Sequence, residues 1–264
     1  LNEKPRLEYL VSLKKAGFDL PQFETLKQGR LEKTSELLKR KVGSFKPWAW
    51  SSDIWSLFTP LIGKLTTPPP VKAKAWEEKI LPLFGKDWSA CQLQQFLDHC
   101  GWQDWHCSPD TVGKVATSTD QVLQRIEALR HMHFHRHVVK SVFGSAGGNM
   151  LRLWEPEISE RQLAWINNVI EREGKVIIEP WLDRLCDFSL QLEVEPGGIR
   201  VVDWTHLKVD ARGQYKGTLW LPNFSRGLPA RLARFAHEGS PDRMTRMFQD
   251  LIRFIKPAVE KSGF

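Results

Sequence analysis

His137-Val138-Val139-Lys140-Ser141-Val142-Phe143-Gly144-Ser145-Ala146-Gly147-Gly148-Asn149-Met150-Leu151-Arg152-Leu153 carries a lysine on a short apolar run, then a glycine-rich turn, then a second apolar run. The flanks Val138-Val139 and Met150-Leu151-Arg152-Leu153 predict two strands of a hairpin with the glycines at its tip. Backbone N–H groups of such a loop can wrap a polyphosphate, and the lysine fixes one cation beside them. The order of the parts excludes two classes. A Walker-type loop has its glycines before a Lys-Ser/Thr pair that opens a helix, and a protein kinase also places its glycine loop before its lysine. Here the lysine comes first, so the glycines form a flap on a hairpin.

Composition sets the outer limits. The chain has 264 residues, 41% of them hydrophobic, which suits one large or two modest globular domains. No apolar run approaches the roughly 18 residues that cross a bilayer, so no membrane partner is expected and a cytosolic location is. Cys91, Cys100, Cys107 and Cys186 form no CxxC pair and are expected as free thiols. The net charge of +7 favours anionic partners, but basic residues are scattered and matched by 31 acidic ones. That pattern supports a phosphate-bearing ligand more than a nucleic acid, which would call for a contiguous Lys/Arg face.

Around the hairpin, periodicity and caps predict the rest. Residues 6–17 show helical spacing of Leu7, Leu10, Val11 and Leu13, and a second, basic helix is expected over residues 31–41. The stretch Lys46-Pro47-Trp48-Ala49-Trp50-Ser51-Ser52-Asp53-Ile54-Trp55 is dense in tryptophan, and its rings are expected to pack an interdomain seam. Thr66-Thr67-Pro68-Pro69-Pro70 predicts a stiff linker, which divides the chain into residues 1–70 and 71–264. Beyond it, Ser89 with Gln92, Ser118 with Gln121 and Ser159 with Gln162 each predict a helix start, and Gly101 and Gly174 two helix ends. Lys175-Val176-Ile177-Ile178 predicts a strand. Phe188, Leu190, Leu192 and Val194 alternate with polar residues before a Gly197-Gly198 turn, as in a half-buried hairpin. Ser240-Pro241 is expected to cap a last helix that ends near Pro257. The fold class expected is α+β with antiparallel sheets.

In these features, over residues 76–264, the chain resembles the ATP-grasp superfamily, and residues 1–70 resemble a remnant of the helix-rich domain that often precedes it. The resemblance implies two lobes closing on ATP and ligation of a carboxylate to an amine or thiol through an acyl phosphate. Lys140 matches the family's lysine before the flexible loop, here Gly144, Ser145, Ala146, Gly147, Gly148 and Asn149. Lys86 in Phe84-Gly85-Lys86-Asp87-Trp88 matches the first phosphate-binding lysine. Glu179-Pro180-Trp181-Leu182 resembles the segment lining adenine, and Asp187 falls where an acid meets the ribose hydroxyls. Those roles fit the residue types: two lysines offset polyphosphate charge, and a carboxylate accepts from ribose hydroxyls. Arg212 is the candidate for an anionic substrate group.

Other clusters carry less. His131, His133, His135 and His137 would share one face of a strand, but no carboxylate or cysteine spacing supports zinc, so they are expected as an exposed edge strand leading into Lys140. His106-Cys107 are adjacent and cannot face each other productively. One departure from the family stands out. Its magnesium ligands, an acid and then a Glu followed closely by Asn, come after a helix such as the one near Pro257, and nothing of that kind lies before Phe264. Together with the opening Leu1, this suggests a chain cut from a longer one; the alternative is a non-catalytic nucleotide-binding or regulatory module.

Overall fold

The computed structural model describes residues 5–47, 50–69, 73–101, 103–144, 147–195, 198–222, 224–239 and 242–261. Trp48, Pro70, Ser145, Ala146, Gly197, Ser240 and Pro241, all named above, lie outside the described residues. The chain forms two compact units, Leu1–Leu81 and Pro82–Phe264.

The first unit holds helix α1 (Leu7–Lys15), the short hairpin β1 (Leu26–Lys27) and β2 (Arg30–Leu31), then α2 (Ser52–Phe58) and α3 (Ala73–Lys79). The helix expected over residues 31–41 is a single 3-10 turn, Glu36–Lys39. Leu31 is taken by its pairing with Leu26, and the Ser35 hydroxyl accepts from the Leu37 N–H at 3.2 Å, so a local side-chain bond replaces helix propagation. Within this unit Trp55 packs with Trp76 and Ile80 in a buried cluster, with Trp50 stacked on Trp55 at 4.3 Å.

The second unit is α+β, with two antiparallel sheets. Helix α4 (Lys86–Cys100) leads to β3 (Lys114–Ala116) and α5 (Thr119–His131). The predicted hairpin follows as β4 (His137–Ser141) and β5 (Met150–Leu153), with Lys140 opposite Met150. After α6 (Glu160–Glu173), β6 (Val176–Pro180) inserts between β3 and β4, giving the order β3-β6-β4-β5. The second sheet is β7 (Asp187–Glu195), β8 (Gly198–Val209) and β9 (Tyr215–Leu219), followed by α7 (Ala230–Ala236) and α8 (Arg243–Lys261).

Side-chain alternation along a strand assigns the two faces of the first sheet. Val139 on β4 and Val176 and Ile178 on β6 join Val122, Ile126, Leu129, Ile166 and Val169 of α5 and α6 in one buried cluster. Val138, Lys140 and Glu179 alternate to the opposite face, which no helix of that cluster covers. Helix α6 is fixed at both ends: Ser159 and Gln162 form the reciprocal box, and Gly174 closes the helix at φ +76°.

Four expectations change. Helix α4 starts at Lys86, ahead of Ser89, because the Lys86 N–H bonds the Val142 carbonyl at 3.2 Å and a tertiary contact sets the helix start; Ser89 instead donates back to the Gly85 carbonyl at 3.3 Å. The four alternating histidines are not one strand, since His131 ends α5, His133 sits in a turn at φ +66° and only His137 lies on β4, where it is buried. The turn is forced because Met132, His133 and Phe134 bond back onto the last turn of α5. Helix α8 is capped by Asp242, which accepts from the Thr245 N–H at 2.7 Å, and it continues past Pro257 to Lys261 at the cost of one backbone hydrogen bond.

Glu173, the last residue of α6, ties that helix to β4. Its carboxylate accepts from the Ser141 hydroxyl at 2.7 Å and from the Val142 N–H at 3.0 Å. Burial pushes this carboxyl up, but the bonds from Ser141, Arg172 and the Phe143 backbone outweigh it and hold it below the usual glutamate range. A depressed folded value contributes stability above the unfolded pKa and loses it as the pH falls through the folded one. Glu173→Ala leaves a fully buried Ser141 hydroxyl without this partner, and a loss of about 1–3 kcal/mol is expected in denaturant unfolding at neutral pH. The difference from the unsubstituted chain should shrink in acid.

Candidate functional site

On the face of the first sheet opposite α5 and α6 lies a cleft of about 390 Å³. Its lining includes Lys86, Lys140, Gly144, Gly147, Gly148, Glu179, Trp181 and Leu182, so eight of the predicted positions converge there. Lys140 on β4 and Glu179 on β6 form an ion pair. Register explains it: Lys140 stands opposite Ile177 and Val138 opposite Glu179, so the two charges are diagonal neighbours across the strand pair.

Lys86 arrives from the start of α4. Its ammonium donates to the carbonyls of Gly144 at 2.7 Å, Ser141 at 3.1 Å and Val142 at 3.4 Å. Burial lowers its pKa from the ordinary lysine value, the Lys140 charge lowers it further, and Glu173 and Glu179 oppose both. Two cations thus sit close together, balanced by two carboxylates. The lowered Lys86 value shows that burial and the Lys140 charge outweigh the two carboxylates at that ammonium, which an anion beside it would stabilise.

The flap bends over the cleft and meets the turn of the second sheet. Gly147 has φ +75°, and a Cβ there would lie 2.6 Å from the Gly213 carbonyl oxygen. Both the conformation and the contact exclude a side chain. Arg152 on β5 reinforces the approach by donating to the Arg212 carbonyl, its Nε at 3.1 Å. The turn itself is held by Asp210, whose Oδ1 accepts from the Arg212 and Gln214 N–H groups, each at 2.9 Å.

Two predicted residues stand apart from this cleft. Asp187 lines an adjoining cleft of about 560 Å³ that shares Trp181, Leu182 and Arg184 with the first, and it pairs with Arg184 at 3.1 Å. Arg212 is exposed at the turn and lines neither cleft, although its neighbour Gly213 lines the first. Ser145 and Ala146 are outside the described residues. Trp181 lines the cleft, while its backbone N–H donates to the Arg136 carbonyl at 2.7 Å.

Sequence reading missed Arg184, Glu173, Val138 and Met150 as residues of the cleft and its supports. Arg184 is a third cation on the cleft wall, with its guanidinium 5.1 Å from the Trp181 ring. Nothing in its sequence context marks it. Glu173 did carry a signal, because an acid in the last turn of a helix opposes the macrodipole and calls for a compensating partner. Metal coordination does not fit what is present. Glu179 is paired with Lys140 and Asp187 with Arg184, and among the described residues no group of three or more His, Cys, Asp or Glu side chains is placed to hold an ion. Among the described residues, no helix is long and apolar enough to cross a membrane.

No protein-family model matches the chain, and no curated protein sequence does. Among solved structures it is similar to the N5-carboxyaminoimidazole synthetase of Staphylococcus aureus complexed with ADP, at 15% identity and a TM-score of 0.44 over 76% of this chain and 48% of that one. It is also similar to the D-alanyl-alanine synthetase A of Vibrio cholerae, at 12% identity and a TM-score of 0.40 over 69% of this chain and 51% of that one. A second N5-carboxyaminoimidazole ribonucleotide synthetase, an ADP complex, gives 12% identity and a TM-score of 0.43 over 70% of this chain and 48% of that one. The chain therefore spans about half the length of each.

The lysine pair gives a direct test of the electrostatics. Followed by NMR across a pH titration, Lys86 should lose its proton below the range of ordinary lysines. Lys140→Met, which removes the like charge and releases Glu179, should move that step up; Glu179→Gln should move it down. Opposite signs would contradict the arrangement.

Proposed function

We propose that the cleft binds ATP and that the chain is part of an ATP-dependent ligase that joins a carboxylate to an amine or thiol. The observation that carries this reading is the convergence of Lys86, Lys140 and the glycine flap on one cleft with apolar walls. Polyphosphate binding needs fixed cations beside backbone that can approach closely, and the two lysines with Gly144, Gly147 and Gly148 supply both. Val138, Met150, Pro180, Trp181 and Leu182 provide the apolar slot that a purine requires. In this reading Glu179 positions Lys140, Asp187 serves the ribose hydroxyls from the adjoining cleft, and Arg212 attracts an anionic substrate group from the turn beneath the flap.

The chemistry would run in two steps. A substrate carboxylate oxygen attacks the γ phosphorus and ADP leaves, giving an acyl phosphate. An amine or thiol then attacks its carbonyl carbon, loses a proton, and inorganic phosphate leaves. Lys86 and Lys140 stabilise the charge on the phosphoryl oxygens in the first step. Magnesium is the ion expected for such a ligase; among the described residues no group of three or more His, Cys, Asp or Glu side chains is placed to hold it.

Calorimetric titration with ATP tests the reading. Lys140→Ala should weaken binding by about tenfold or more, the value of one charge-assisted hydrogen bond of roughly 1.5–3 kcal/mol. Unchanged affinity would refute the site. Release of ADP and phosphate over a panel of carboxylic acids and amino acids then distinguishes the ligase from a nucleotide-binding module that turns nothing over.

A pH dependence follows from Lys86. Polyphosphate favours the charged ammonium, so binding takes up a proton wherever the free site has begun to lose it. Affinity should fall as the pH rises through the lowered Lys86 value, by at most about tenfold per pH unit for one linked proton. Lys86→Arg, with a guanidinium that stays charged, should push that fall to higher pH.

A further inference from the structure

Behind the second sheet, away from the ATP cleft residues in sequence, three side chains meet in a different arrangement. The Ser225 hydroxyl lies 2.5 Å from His237 Nε2, and His237 Nδ1 lies 3.1 Å from Asp242 Oδ2. Asp242 also accepts from the Thr245 N–H, and that bond, with others from Thr245 and His237, holds its carboxyl below the usual range. An ionised carboxylate only accepts, so Nδ1 carries the imidazole proton, and in neutral histidine Nε2 is then the acceptor for the serine O–H. The order of donors is that of a nucleophile, a base and a group that orients the base.

The supports on either side are fixed. Ser225 lies in the 3-10 turn Phe224–Gly227, which is clamped to β8: His206 Nε2 bonds the Phe224 carbonyl at 2.7 Å and the two rings stack at 4.2 Å. Gly227 permits this contact, since a Cβ there would fall 2.3 Å from His206 Nε2. On the other side Arg243 pairs with Glu238 and with Asp104, the latter at 2.8 Å, and stacks over Phe235 at 4.3 Å. The turn carrying the serine and the loop carrying the histidine are thus both anchored.

An apolar cavity of about 170 Å³ adjoins them. Its lining includes Phe224, Ala236 and Arg243, the chain neighbours of Ser225, His237 and Asp242, together with Leu228 and Phe235. His237 and Asp242 keep side-chain exposures of 43% and 26%, so water reaches the group.

We propose that Ser225, His237 and Asp242 form a second catalytic site that hydrolyses esters of small apolar acids. Ser225 Oγ bonds to the carbonyl carbon while its proton passes to His237 Nε2. The ester C–O bond breaks, and the leaving alcohol takes that proton. Water then attacks the acyl-serine, gives a proton to His237, and releases the acid as Ser225 recovers its hydrogen. The small apolar acyl group occupies the 170 Å³ cavity.

The test uses the full chain with a fluorophosphonate probe and p-nitrophenyl butyrate. A single phosphonyl adduct should map by mass spectrometry to Ser225, within residues 217–226. Adduct formation and ester hydrolysis should fall by about a hundredfold or more in Ser225→Ala and His237→Gln, the usual worth of a general base. No adduct at Ser225 in the unsubstituted chain, which depends on no variant folding, would overturn the proposal. So would hydrolysis that survives in Ser225→Ala.

Discussion

The cleft of the second unit depends on one ammonium group, that of Lys86, held by the carbonyls of Ser141, Val142 and Gly144. These carbonyls stand at the end of β4 and the start of the flap. A buried carbonyl left unpaired costs about 1–3 kcal/mol. The lysine meets that need and fixes the start of α4 against the hairpin. It also loses much of its own hydration, which lowers its pKa beside Lys140. The same contact therefore joins two elements far apart in sequence and leaves a cation poorly hydrated at the mouth of a cleft.

Carboxylates set the balance of that site. Glu179 reaches Lys140 diagonally across β4 and β6, and Glu173 reaches Ser141 and Val142 from the end of α6. Without them the repulsion between Lys86 and Lys140 would go unopposed by any carboxylate, and Lys140 would lose its ion-pair partner. With them the cations are fixed, and Arg184, itself paired with Asp187, stands on the same wall. A site that must hold anionic phosphates in place gains from this arrangement, because the cost of gathering like charges is met by folding and not by the ligand.

Much of this was legible from local sequence. The hairpin around Lys140, the helices capped by Ser118 and Ser159, the strand at Val176 and the long β7–β8 pair all follow from periodicity and turn residues. The failures share a cause. The helix expected over residues 31–41, the histidine strand and the start of α4 each had acceptable local patterns, and each was overridden by a bond or pairing that the pattern did not contain. Arg184 was invisible for the same reason: its place on the cleft wall comes from where the chain turns after β6. Ser225, His237 and Asp242 are spread over 18 residues with no recognisable spacing, and only folding brings their polar atoms together.

The sequence by itself determined which residue types could serve a phosphate, a lysine before a glycine flap, because that order depends on backbone freedom and charge that a short segment carries alone. It also determined the α+β class, since alternation and helical spacing are local properties. Tertiary structure decided which face of the first sheet carries the cleft, because α5 and α6 pack on the other. It decided too that Lys86 and Lys140 share one cleft while Asp187 lies along the next. Register and packing couple residues distant in the chain, and no window along the sequence contains that coupling.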